Sequence, residues 1–438
     1  MPTLKSDLYC AINKIGELVY ARYKFIIIIF CIPIVLIGKL SIIPFNYSFS
    51  GYVKGEMYSD SRQTFGSLPD EIPFFPKRIV DDPQCHDINA RGQTQMDAFE
   101  TRLRLDIDAI RYKRFSIEGV IETDFEIFFV DVVDLIHMRH AYLKIQTDNA
   151  TLTFGQTWHP MVFIEPQTVN YNGSSPFDYY ARSPQFNFTY RTKQQVDIIF
   201  AATMQVDYSS DGAYGLTPRY MQWATLPNFH LQYRWRFKTH VIGAGIDYKR
   251  IAPRITSSTG FKIYERLSSV AFLWFLGLKW PVIEIYIKVN GGQNASDYSG
   301  MGGYAVQKNS TEPITDQRKY TNLNNIAAWM DLSITKHPVF NPGIFIGVSK
   351  NLGASKKIDH DSVGPDGIIN RKIFGFANDV DTVFRISPRL SGKINSIVFS
   401  GEVEYTRANF GTITNKGTVI NTRPAELIRC TFASYYYF

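Results

Sequence analysis

The sequence predicts an all-β fold: a closed antiparallel transmembrane barrel of about 16 strands, with 14 to 18 compatible. Three observations carry that expectation. From residue 47 onward the hydrophobic period is two rather than 3.6. The alternating segments run to about ten residues or more, the length a tilted strand needs to cross a bilayer, against the usual five or six. The connections between segments alternate short and long, as in transmembrane barrels with short turns on one side and longer loops on the other.

The first strand is 47–58, where Phe49, Gly51, Val53, Gly55 and Met57 alternate with Tyr52, Lys54, Glu56 and Tyr58. In 99–109 one face is apolar or hydroxylic, and the other is Glu100, Arg102, Arg104, Asp106 and Asp108. A tight turn at Lys113 leads into 117–126, whose polar face carries Glu118, Glu122, Asp124 and Glu126. Strands 135–146 and 151–156 meet at Asp148-Asn149, and 185–191 turns near Lys193 into 196–207. Segment 229–237 puts His230, Gln232, Arg234 and Arg236 opposite five large apolar residues, then turns at Lys238-Thr239 into 241–249. Later strands are expected at 265–279, 282–291, 325–336, 343–351, 374–387, 390–406 and 427–438, with turns near Pro281, His337-Pro338 and Pro388-Arg389. Long loops are expected at 59–96, 128–134, 158–184, 208–228, 251–264, 293–324, 352–372 and 407–423. Hydrocarbon cannot satisfy backbone N–H and C=O groups, so strands can span a bilayer only as a closed cylinder. The charged faces then point into a wet lumen, and a 16-strand cylinder leaves room for an aqueous channel.

Composition agrees with this class. Aromatics make up 15% of the chain, with 32 Phe and 26 Tyr, and rings with polar tips suit a membrane–water interface. Charged residues at 20% and a slightly negative mean hydropathy exclude a polytopic helical membrane protein. The one long apolar run, 25–36, follows Lys14, Arg22 and Lys24, so residues 1–45 read as a signal peptide or N-terminal leader, with a retained anchor as the alternative. Without them the net charge falls from +7 to +4. Cys10 and Cys31 lie in that leader, and Cys85 and Cys430 sit in too dissimilar places to form a disulfide framework.

The last strand ends Tyr435-Tyr436-Tyr437-Phe438 and resembles the terminal signal strand of bacterial outer-membrane barrel proteins. That resemblance implies the bacterial outer membrane, its lipid, and the barrel-assembly machinery as partners. The strand is expected to pair with the first one near 49–57. Tyr436 and Phe438 should then face lipid, and Arg429 and Tyr437 the lumen.

Candidate pore-lining residues are Arg102, Arg104, Asp106, Glu118, Glu122, Arg191, Arg234 and Arg236, because opposed basic and acidic ladders bias which solutes pass. The bland alternative is cross-strand pairing that stabilises a wetted wall. Loop 158–184 is rich in rings and broken by Pro160, Pro166 and Pro176. Outside the barrel it would be an association hazard. Folded inward it would form a constriction with Glu165, Tyr171, Asp178, Tyr179 and Arg182; the alternative is a subunit-contact loop.

The stretch Leu152-Thr-Phe-Gly-Gln-Thr-Trp158, with Pro166, Asn170, Gly173 and Arg182-Ser-Pro-Gln185, resembles DcaP-like porins and related Bacteroidota outer-membrane proteins over about a third of the chain. The resemblance implies passive uptake of small, often anionic solutes by a homotrimer. No heptad stretch matches that family's N-terminal coiled coil.

No catalytic motif, cofactor or metal is expected. The eight His are dispersed, with His137 and His140 expected on opposite faces of one strand. Residues 359–370 depart from the EF-hand pattern at Val363 and Asn370. Nucleic acid is not an expected partner, because the Arg residues alternate with acids instead of forming a patch. The leading expectation is a passive diffusion channel for small polar solutes. Its rivals are a structural or adhesive barrel and a membrane-embedded hydrolase.

Overall fold

The chain divides into Met1–Asn46 and Tyr47–Phe438, and the second unit carries the fold. The computed structural model describes residues 46–67, 72–112, 114–125, 136–170, 173–335, 339–363 and 369–438. The expected leader, the Lys113 turn, Tyr171 and the His337-Pro338 turn lie outside them.

Sixteen strands form the barrel: β1 (Tyr47–Asp60), β2 (Arg102–Tyr112), β3 (Phe115–Asp124), β4 (His137–Gln146), β5 (Ala150–Trp158), β6 (Arg182–Arg191), β7 (Val196–Thr203) and β8 (Asn228–Phe237). They continue as β9 (His240–Ile251), β10 (Leu267–Lys279), β11 (Ile283–Gln293), β12 (Tyr320–Ile334), β13 (Phe340–Ala354), β14 (Val380–Ile394), β15 (Ile397–Ile413) and β16 (Val419–Tyr437). Each pairs antiparallel with its sequence neighbour. β16 closes on β1 with Val53 opposite Tyr436 and Met57 opposite Phe432. This closure pairs both edges of the barrel sheet. Arg429 points inward and is fully buried, while Tyr436 and Phe438 are about half exposed on the outside, as expected from the alternation.

The outer wall is apolar: Phe154, Phe186, Phe188, Phe200, Leu231, Tyr233 and Trp235 are all exposed there. In water so large a patch would drive association, whereas hydrocarbon covers it. No helix among the described residues is long and apolar enough to cross a membrane; α1, the one α-helix among those residues, is Arg219–Ala224 in the connection between β7 and β8.

The largest departures from the expected boundaries fall in the last three strands, found at 380–394, 397–413 and 419–437 rather than 374–387, 390–406 and 427–438. Pro388-Arg389 is not a turn but part of β14, and the chain reverses after Ile394, where Asn395 has φ 53°. Pro388 is tolerated because it faces outward and the ladder to β15 is interrupted there: pairing runs through Ile386–Tyr405 and resumes at Arg389–Glu402. The loop expected at 407–423 is instead mostly strand. β15 runs on to Ile413 and β16 starts at Val419, and the tip of this hairpin accepts the N–H groups of Ala354 and Ile358 at the carbonyls of Lys416 and Asn415.

The lumen is not empty. A hairpin of Thr64–Ser67 with Ile72–Pro76 and the segment 159–181 both fold inward from the long-connection end. Met161, Ile164, Phe177 and Tyr179 from the second, with Ile72, Phe74 and Phe75 from the first, pack on Leu273, Phe275, Trp329, Phe345 and Phe410 of the wall. This explains why β10 is apolar on both faces: Phe272 and Trp274 face out, while Leu273 and Phe275 meet the inward segment. Gly347 makes room for it, since a Cβ there would lie 2.5 Å from the Phe177 ring.

Candidate solute passage

Polar wall residues hold the two inward segments. Arg385 of β14 is fully buried. Its guanidinium donates to the carbonyls of Gly173 (2.7 Å) and Ser175 (3.1 Å) in one segment, and of Pro73 (2.8 Å) and Phe74 (3.2 Å) in the other. Its charge is balanced by Glu404 at 3.1 Å. Glu402 accepts the N–H groups of Val169 (3.0 Å) and Asn170 (3.3 Å), and Glu404 accepts from Asn170 Nδ2 at 3.1 Å. On β11, Lys288 Nζ lies 2.5 Å from Asp178 Oδ1, with Asn290 donating to the same oxygen at 3.2 Å. Tyr179 donates to Asn325 Oδ1 at 2.5 Å. Asp178 and Tyr179 are thus fully buried fastenings against the wall. Burial raises the Asp178 carboxyl above the usual range, with Lys288 pulling it back down.

Glu165 behaves differently. It stays exposed to the lumen and lines a cavity on each side of the inward segment. One, of about 150 Å³, lies between Glu165, Asn170, Ser174 and Tyr180 and the wall residues Glu100, Arg102, Arg139 and Tyr435. The other, of about 360 Å³, opens at the short-turn end and is lined by Phe163, Glu165, Arg236, Lys238, Lys279 and Tyr286. Enclosure by protein and then the nearby Asp178 carboxylate raise the Glu165 carboxyl above its ordinary range.

The eight wall residues expected to line the pore form two groups. Arg102, Arg104, Asp106, Glu118 and Glu122 share one patch of β2 and β3. Arg104 binds Asp106 at 2.8 Å and Glu122 at 3.3 Å, Arg102 reaches Glu100 at 3.2 Å, and Glu118 pairs with Lys144 at 3.0 Å. Arg191 and Arg236 pair with Asp197 at 2.6 and 2.9 Å nearer the short turns. Arg234 stacks on Phe163 at 3.7 Å. Arg182, expected in the constriction, is instead the first residue of β6, paired with Trp158 in the ladder, and its side chain is buried against the Trp158 ring at 5.2 Å.

Arg139 belongs to the first group although its strand showed no special charge pattern. It bonds Glu122 at 2.9 Å and Asp124 at 2.7 Å and stacks on Trp158 at 5.4 Å. A register shift between β3 and β4 at Glu122/Thr123 turns His137, Arg139 and His140 all inward, so the two His do not face opposite ways. Strict alternation cannot reveal such a bulge. Lys54 and Glu56 were legible as a polar face on β1; they lie 2.8 Å apart, and Lys54 also bonds Glu100.

His159, His230 and Asp247 gather within 4.8 Å in the upper lumen. Their bonding is that of a hydrogen-bond network. Met161 N–H donates to His159 Nδ1 (3.2 Å), Tyr298 O–H to Asp247 Oδ1 (2.7 Å), and His230 Nε2 meets Gln232 Oε1 (2.9 Å). With its Nδ1 accepting, neutral His159 carries its proton on Nε2, the atom a cation would need. Lys249 and Lys288 add positive potential there.

No family model matches the chain, and no curated protein matches it. The fold has solved counterparts. The outer-membrane channel DcaP of Acinetobacter baumannii superposes with a TM-score of 0.64 at 14% identity, over 92% of this chain and all of that one. OmpT of Vibrio cholerae in its trimer form gives 0.53 at 9% identity, and an anion-selective porin from Comamonas acidovorans 0.52 at 8%; each covers 90% of this chain and all of its own. The chain is therefore a transmembrane β-barrel with the porin fold of the bacterial outer membrane.

Proposed function

We propose that this protein is a passive diffusion channel of the DcaP-like kind for small polar solutes, with a preference for anions. The observation that carries the reading is Glu165 lining both cavities, opposite Arg102 and Arg139 on one side and Arg236, Lys238 and Lys279 on the other. A solute crossing the lumen meets mostly cations on the wall and one carboxylate on the inward segment. That places a transverse field across a narrow aqueous gap, which discriminates by charge and width. The residues 158–184 act as the constriction, and residues 1–45 as a leader removed on secretion. The chain assembles as a homotrimer after insertion through its C-terminal strand. No bond-making chemistry is assigned.

Planar-bilayer recording of the refolded chain tests this. Discrete current steps with an anion-favouring reversal potential are expected, and their absence would sink the channel. Deleting 163–180 should raise conductance and weaken selectivity; unchanged values would show that this segment does not restrict the passage.

A further inference from the structure

A third cavity, of about 380 Å³, opens at the long-connection end and has a different chemistry. Its apolar walls are Phe65 and Phe74 of the inward hairpin, Phe376, and Leu216 from the connection after β7. Phe74 and Phe376 stack at 5.3 Å, and Phe65 lies 6.3 Å from Phe376. Phe65 and Leu216 remain 40% and 75% exposed, so apolar surface is left open around a slot rather than packed away.

Among the described residues, the charged ones in its lining are Asp207 and Asp211, and no Lys or Arg lines it. Asp211 is already satisfied: Arg371 binds it at 2.5 Å and the N–H groups of Gly375 and Gly212 donate at 2.9 and 2.8 Å. Asp207 is held loosely. Its Oδ2 meets His137 Nε2 and Gln156 Nε2 at 3.3 Å each, while His137 makes its shorter contact, 2.8 Å, with Asp124. The Asp207 side chain keeps 18% of its surface open. The cavity thus pairs a ring-sized apolar slot with one loosely held carboxylate. It adjoins the passage below, because Tyr208 of its lining lies 5.7 Å from Tyr180, which lines the 150 Å³ cavity.

We infer that this cavity is a binding site for small organic cations carrying a planar apolar ring, of the arylalkylammonium class. The ring lies against Phe65 and Phe376, and the ammonium group donates to Asp207. Aromatic faces attract the cation as well as the ring. This charge preference is opposite to that proposed for the passage, so the two sites are separable by experiment.

The test is equilibrium binding to the refolded full chain in detergent, measured by calorimetry and saturation-transfer NMR. The probe is 2-phenylethylammonium, compared with phenylacetate, which has the ring and the opposite charge, and with ethylammonium, which has the charge and no ring. The first should bind about tenfold more tightly than either. Phe376→Ala and Asp207→Asn should each remove most of that advantage. Leu216→Ser and Phe65→Ser, at exposed positions where folding is not at stake, should weaken it several-fold. Equal binding of phenylacetate, or binding unchanged in Leu216→Ser and Phe65→Ser, would overturn the site. If the bilayer shows no current steps but the ring-cation preference holds, the channel reading fails and this site stands.

Discussion

Arg429 on the last strand grips Asp60 on the first through two parallel hydrogen bonds, Nε to Oδ1 at 2.6 Å and Nη2 to Oδ2 at 2.7 Å, with both side chains fully buried. The seam that closes the barrel is therefore riveted by a bidentate ion pair facing the lumen, beneath the Tyr58 ring at 4.1 Å from the guanidinium. Removing one partner leaves an uncompensated buried charge, which costs about 3–5 kcal/mol.

Asp60→Asn and Arg429→Met should each lower the unfolding free energy of the refolded barrel in urea by that amount, with the midpoint falling in proportion. The double variant should recover part of the loss, since a neutral Asn–Met pair there carries no stranded charge. Unfolding followed by the heat-shifted gel mobility of the barrel reads this directly.

Arg385→Met should release both inward segments at once, because one guanidinium binds carbonyls from each. Single-channel conductance should rise, and limited proteolysis should begin to cut within 72–92 or 159–181. Stranding Glu404 should also cost about 3 kcal/mol. Gly347→Ala should give a weaker version by pushing Phe177 off its seat.

Glu165 should set the charge preference. Glu165→Gln removes the one carboxylate the inward segment presents to both cavities. At about 1 kcal/mol for a charge near contact in water, anion over cation permeability should rise about fivefold. Because its folded-state carboxyl is raised, it protonates at a higher pH than an ordinary Glu as the solution is acidified. The wild-type reversal potential should drift toward anions over that interval, and the Gln variant should not drift.

His159 couples pH to the seating of 159–181. Burial, opposed by Asp247, lowers its folded-state value to about 4 from an ordinary 6.5. The unfolded chain thus takes up a proton first as pH falls. Stability from the neutral imidazole is complete above about 6.5 and is lost progressively down to about 4, up to about 3 kcal/mol. Melting of the wild type should fall over that window, and that of His159→Gln should start lower and change less.

The outer wall, the strand count and the neighbouring of β1 and β16 were legible from residues such as Phe432, Tyr436 and Arg429, because a period of two assigns every side chain to one of two faces. The polar face of β2 and β3 was legible for the same reason. Arg139 was not, since a bulge breaks the period, and neither was the continuation of β14 through Pro388, since an outward Pro at an interrupted ladder looks like a turn.

By itself, the alternation along the chain determines a closed barrel with an apolar outside, because hydrocarbon tolerates no other arrangement of strands. It also marks an aromatic, proline-broken segment as one with no good place outside. Which wall that segment covers, and that the hairpin at 64–76 joins it, only the tertiary structure decided. Arg385 reaches carbonyls of residues 73, 74, 173 and 175 that lie more than 200 positions away along the chain. Backbone carbonyls are the same at every position, so such a partnership leaves no residue pattern to read. It follows from the curvature of the wall and the volume left inside it.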